Sequence, residues 1–83
     1  MNYINVIKDI INPFVKHKND VEIILEEQKN LRDYDYIIYC NKEDLPTLIG
    51  RSGSIANSIR EVANIAARID HNRIRIRFEE NRK

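Results

Sequence analysis

Two glycines, Gly50 and Gly53, are the only ones in 83 residues, and they stand three apart. A chain so poor in glycine has one place where its backbone is free to take a left-handed or otherwise costly conformation. An apolar run, Leu48-Ile49, leads into the pair, and a helical pattern from Ile55 onward leaves it. The sharp turn of this fold is therefore expected between two helices. On its own, Gly50-Arg51-Ser52-Gly53 also fits a plain corner between helices, with Gly50 closing the first.

The flanking periodicities supply the rest of the framework. Ile4, Ile7, Ile10, Ile11, Phe14 and Val15 recur at helical spacing and predict a helix over about 2–16, kinked or interrupted at Pro13. Lys16 to Asp20 reads as a turn. Val21, Ile23 and Leu25 alternate with Glu22, Ile24 and Glu26, as in a strand with one face in the core. After a polar connection at 28–32, Tyr34 to Cys40 alternate again, with Tyr36, Ile38 and Cys40 on one face, and the two runs form a hairpin.

Asn41 is placed to cap a short helix carrying Leu45, Leu48 and Ile49, with Glu43 and Asp44 favouring its dipole. Beyond the glycines, Ile55, Ile59, Val62, Ala66 and Ile69 form the expected apolar stripe of a longer helix, and Ala63 and Ala67 permit close packing. Asp70-His71-Asn72 is a turn, Arg73 to Phe78 alternate strictly, and Glu79 to Lys83 form a polar tail. A last strand reached through two helices joins its neighbour by a right-handed crossover and runs parallel to it. The expected fold is α+β, ordered α-β-β-α-α-β, with a three-stranded mixed sheet covered on one face by three helices.

Bulk properties narrow the function. The length suits a single domain over 1–83, and 42% apolar with 33% charged residues is a globular composition. No apolar run approaches the roughly 20 residues of a membrane span, and Met1 to Asn5 lack a basic region followed by an apolar block, so a cytoplasmic location is expected. One cysteine, Cys40, and two histidines, His17 and His71, give neither an internal disulfide nor a metal set, and no cofactor is expected. No nucleophile stands beside a base, and no catalytic residue is assigned. Net charge is only +1, modest for a protein that binds phosphates.

The combination Ile49-Gly50-Arg51-x-Gly53, followed by Ile59-Arg60, resembles the GXXG loop of a type II KH domain, and with the element order the likeness spans nearly the whole chain. More narrowly it is similar to the small bacterial single-domain proteins of the KhpA type, which share the helix with a proline near its end (Ile10 to Val15) and the acidic pair Glu43-Asp44 ahead of Leu48-Ile49-Gly50. The resemblance implies a clamp for short single-stranded RNA, with Gly50 and Gly53 admitting the backbone, Arg51 neutralising a phosphate, and Ser52, Ser54 and Asn57 donating hydrogen bonds. Ile49, Ile55 and Ile59 would line an apolar groove for bases. It further implies an RNA chaperone or post-transcriptional regulator linked to cell elongation and division, acting as a homodimer or as a heterodimer with a larger KH-domain protein. The alternative is a KH-fold protein-association module with incidental RNA binding.

Arg73, Arg75 and Arg77 project from one face of the last strand. Either Arg73 and its neighbours reach RNA, or the row pairs with Asp35 and solvates the sheet; the second reading is the simpler. Ile24, Ile37 and Tyr39 share that face and could form a partner surface. His17 and His71 are expected exposed in turns, Cys40 in the core, and Tyr34, Tyr36 and Tyr39 in hairpin packing.

Overall fold

The computed structural model describes residues 2–28 and 30–81, so the final two residues of the polar tail and position 29 of the hairpin connection lie outside it. Helix α1 spans Ile4–Ile11 and continues as a 3-10 turn, Asn12–Phe14, because Pro13 cannot extend the α-helical hydrogen bonding. A second 3-10 turn, Lys18–Asp20, leads into strand β1 (Glu22–Gln28), which pairs antiparallel with β2 (Asp33–Cys40). Helices α2 (Leu45–Ile49) and α3 (Ser54–Ile69) flank the glycine loop, and β3 (Arg73–Glu80) closes the chain, parallel to β2. The sheet order is β1-β2-β3, the mixed arrangement expected of the crossover.

Alternation on β2 and β3 puts Tyr34, Tyr36, Ile38, Cys40, Ile74 and Ile76 into one core with Ile7 and Ile11 of α1, Leu48 of α2, and Ile59 of α3. Arg73, Arg75 and Arg77 point away from it. Tyr3 packs edge-on against Tyr34, with ring centroids 5.7 Å apart. Its hydroxyl donates to Asp70 at 2.8 Å, and its backbone N–H donates to the Tyr36 hydroxyl at 3.1 Å. The start of α1 is thereby tied to the end of α3. No helix among the described residues is long and apolar enough to cross a membrane.

Three expectations require correction. On α3 the buried residues are Ala56, Ile59, Ala63 and Ala67, whereas Val62, Ile65 and Ile69 are exposed. The stripe is turned because α3 packs at once against α1, α2 and β3, and alanines allow that close approach while branched side chains do not. The last strand runs to Glu80, pairing with Cys40, so Glu79 and Glu80 belong to the sheet rather than the tail. The apolar outer face is also smaller than expected. A bulge at Glu26, between Leu25 and Glu27, turns that carboxylate across the sheet to Arg77, 2.8 Å away. Ile24, Ile37 and Arg77 share a register row, so the ion pair crosses β2 at Ile37, which is buried.

The C-terminus of α3 ends without a glycine. The N–H of Asn72 donates to Ala67 and that of His71 to Arg68, with His71 at φ +60°. This is a Schellman closure in which histidine takes the left-handed position. His71 is exposed as expected, but His17 is half-buried, its Nε2 3.6 Å from Glu43.

Candidate nucleic-acid interface

The glycine loop is a 3-10 turn, Arg51–Gly53, set between α2 and α3. Gly50 has φ +73° and ψ −179°, a region essentially closed to residues with a Cβ. A Cβ there would stand 2.3 Å from Cγ1 of Ile55. Gly53, at φ +78° and ψ 13°, is left-handed, but its missing Cβ would face open space, with Nδ2 of Asn57 the nearest atom at 4.0 Å. The two glycines thus do different work: Gly50 lets the loop lie against Ile55, while Gly53 turns the chain into α3. Ser52, at φ 55°, also sits left-handed between them.

Arg51, Ser52 and Ser54 are exposed on this turn, and no side chain caps the N-terminus of α3. The Gly53 and Ser54 N–H groups donate within the turn, to the carbonyls of Gly50 and Arg51, so this end offers an anion the helix dipole together with the exposed side chains of Arg51, Ser52 and Ser54. Ile49 is exposed at the end of α2, and Ile55 is partly buried beside the loop. Ile59 belongs to the core instead, at 1% exposure, so its place is beneath the groove and not on its lining. Asn57 is exposed, with its Oδ1 accepting from Nη1 of Arg60 at 3.0 Å. Arg73 is not brought to the loop: it begins β3, beyond the far end of a 16-residue helix about 24 Å long.

Two groups that periodicity did not single out shape the groove. Arg60 donates through Nε to the carbonyl of Ile76 at 3.0 Å, with its guanidinium 5.5 Å from the centroid of Phe78. Asn64 donates to the Ile74 carbonyl and accepts from the Ile74 N–H, as a neighbouring strand would. The open edge of β3 is thus partly covered by α3 side chains. The available signal was a pair of polar residues four apart on a helix that follows the loop and precedes a strand.

On the other side of α2, Asn41 accepts from the Glu43 N–H, but α2 begins only at Leu45 with Asp44 at its N-cap, so Asn41 closes the turn ahead of the helix instead of capping it as expected. Asp44 does something else. It is 3% exposed, and its two oxygens accept from the backbone N–H groups of Lys16, at 3.0 Å, and His17, at 2.9 Å. Burial pushes this carboxyl upward, but the amide donors of His17 and Lys16 and the charges of those side chains outweigh it and hold it below its ordinary value. Asp44 therefore fixes the segment leaving α1 to the start of α2, which carries the loop. Cys40, fully buried, has its thiol pushed up to about 11, first by burial and then by Asp44 and Glu80, and stays protonated at neutral pH.

The sequence matches the KhpA/KhpB KH domain over residues 4–78, from the first residue of α1 into β3. This chain belongs to that family. The element order and the mixed sheet are those of the type II KH fold. A similar protein is the RNA-binding protein KhpA of Lactiplantibacillus plantarum (strain ATCC BAA-793 / NCIMB 8826 / WCFS1), 24% identical over 78 residues, which cover 94% of this chain and 89% of that one.

Proposed function

We propose that this KH domain is a non-catalytic binder of short single-stranded RNA, clamping the phosphate backbone between its glycine loop and the N-terminus of α3. The observation that carries the reading is the loop at the N-terminus of α3, three of whose residues sit at positive φ, with Arg51, Ser52 and Ser54 exposed on it. Gly50 and Gly53 permit close approach, Arg51 supplies charge, and Ile49 and Ile55 offer apolar surface to unstacked bases. Family membership and the similarity to the lactobacillar RNA-binding protein KhpA support the same ligand. The role extends to RNA chaperoning or post-transcriptional regulation in the cytoplasm, connected with cell elongation and division.

With the chain at net +1, binding rests on few phosphates and responds only shallowly to salt, by roughly 0.7 in log-log slope for each phosphate neutralised. Replacing Arg51 and Ser52 together by Asp should lower affinity for labelled tetrauridylate by about tenfold or more, since repulsion replaces attraction at the anion site. Unchanged affinity in a variant with a native circular dichroism spectrum sinks the clamp.

A second reading, association through protein contacts, draws on the outer face of α3. Val62, Ile65 and Ile69 are 48%, 58% and 79% exposed, a contiguous apolar stripe on a helix whose other side is core. The stripe fits a homodimer, or a heterodimer with a larger KH-domain protein. Sedimentation should show a dimer that Ile65→Glu converts to monomer; wild type that stays monomeric at high concentration excludes the homodimer.

A further inference from the structure

The two edges of the sheet differ. The edge of β3 is partly covered by α3, with Arg60 donating to the Ile76 carbonyl and Asn64 bonding both backbone groups of Ile74. Strand β1 forms the opposite edge and pairs with β2. All of Glu22–Gln28 is exposed except the half-buried Ile23, and Ile24 and Leu25 are each 39% exposed. An uncovered edge of this kind offers a row of backbone donors and acceptors to another chain, and lysine, proline or a covering element ordinarily guards it. Neither lysine nor proline stands in β1.

Its guards are the bulge after Leu25, which confines a regular ladder to Glu22–Leu25, and the three glutamates Glu22, Glu26 and Glu27. Charge of one sign discriminates between partners. An antiparallel copy of the same strand would set carboxylate against carboxylate, whereas a basic strand meets opposite charge at both ends of the ladder. Among the described residues only Glu26 of the three is held in an ion pair, with Arg77. The acidic surface also extends past the strand. Glu22 shares a register row with Tyr39 and Glu79, and these three, with Phe78 and Glu80, are among the residues lining an open cleft of about 730 Å³ at that end of the sheet. Three carboxylates beside two aromatic rings suit an ammonium or guanidinium group.

We propose that the β1 edge is a docking site for an extended basic segment of another protein, which adds to the sheet as a fourth strand along Glu22–Leu25. On the outer face its cations lie beside Glu22 and Glu27, one of them reaching the cleft behind Glu22, and the aliphatic stem of another covers Ile24. On the inner face its apolar side chains cover Leu25 next to Ile23. Main-chain hydrogen bonds supply affinity, and the alternation of basic and apolar side chains supplies selectivity. The surface is acidic, so it takes a polypeptide and turns RNA away, and the proposal does not depend on the clamp reading.

The test uses a short fluorescent peptide of alternating lysine and valine, which presents the same pattern in either strand direction. Binding to the full chain is followed by anisotropy, and backbone amide exchange by NMR. The alternating peptide should bind and slow the exchange of amides within Glu22–Leu25. The comparators are the same peptide with glutamate for lysine, one with the lysines gathered at one end, and the alternating peptide with its backbone amides N-methylated. Each should bind at least about tenfold more weakly, as should the alternating peptide on a Glu22→Lys, Glu27→Lys double variant. The N-methylated peptide keeps every charge and leaves the protein untouched, so its loss of binding cannot come from unfolding. Failure of the alternating peptide to bind, equal binding of the N-methylated one, or protection that falls on α3 or the glycine loop overturns the proposal. Slowed exchange in β1 that grows with protein concentration in the absence of peptide also overturns it, since the occupant is then a second copy.

Discussion

Gly50→Ala will cost about 4 kcal/mol of stability, a fall in Tm of roughly 20 °C for a domain of this size. Two costs combine. The backbone at φ +73° and ψ −179° lies where a Cβ adds about 1–3 kcal/mol. The new methyl also meets Ile55, with Cγ1 at 2.3 Å and the backbone nitrogen at 2.9 Å, so side-chain rotation alone cannot clear it, and overpacking adds about 1–3 kcal/mol more. Set against a typical total of about 5–15 kcal/mol, this brings the fold close to its limit. Gly53→Ala is the control. Its Cβ enters open space, and only the left-handed backbone is penalised, by about 1–2 kcal/mol. Urea denaturation of the two variants ranks them, and equal losses would show that the loop does not press on Ile55 as described.

Asp44→Ala will cost about 3 kcal/mol, and most of that arises far from the residue in sequence. Removing the carboxylate leaves the N–H groups of Lys16 and His17 without their acceptor in a partly buried corner, and hydrogen bonds to charged groups are worth about 1.5–3 kcal/mol each. The charge also sets a pH dependence. Since the folded state holds the Asp44 carboxyl below its ordinary value, the native protein binds fewer protons there than the unfolded chain. Its contribution is complete above the unfolded value near 3.9 and is lost as the pH falls through the lower folded one. The stability gap between wild type and Asp44→Asn should therefore narrow below about pH 4. A gap constant from pH 6 to pH 2.5 would contradict this assignment.

Much of the fold was legible because period and punctuation agreed. The alternation of Tyr34 to Cys40 and of Arg73 to Phe78 placed the inward residues correctly, and Pro13 and the two glycines marked the breaks. On α3 the pattern was ambiguous. Ile55, Ile59, Val62, Ala66 and Ile69 satisfy the helical period as well as Ala56, Ile59, Ala63 and Ala67 do, and hydrophobicity favours the first set. The second is buried because the helix sits close to three neighbours. Around the loop, residue type and spacing were enough to nominate Arg51, Ser52 and Ser54 as exposed, but Ile59 was assigned to a surface that the packing denies it.

Asp44 shows the limit most plainly. A carboxylate ahead of a short helix reads as a dipole partner, and the residues it serves, Lys16 and His17, lie 28 and 27 positions earlier. Hydrogen bonds over such separations leave no periodic trace. Local backbone preference, alternation and the demand of a tight turn for glycine act between near neighbours, so the elements, their order and the loop could be read directly from the chain. Which face of α3 is buried, what Asp44 binds, and which carboxylate Arg77 meets depend on distances between remote segments, and those are set only when the helices close on the sheet.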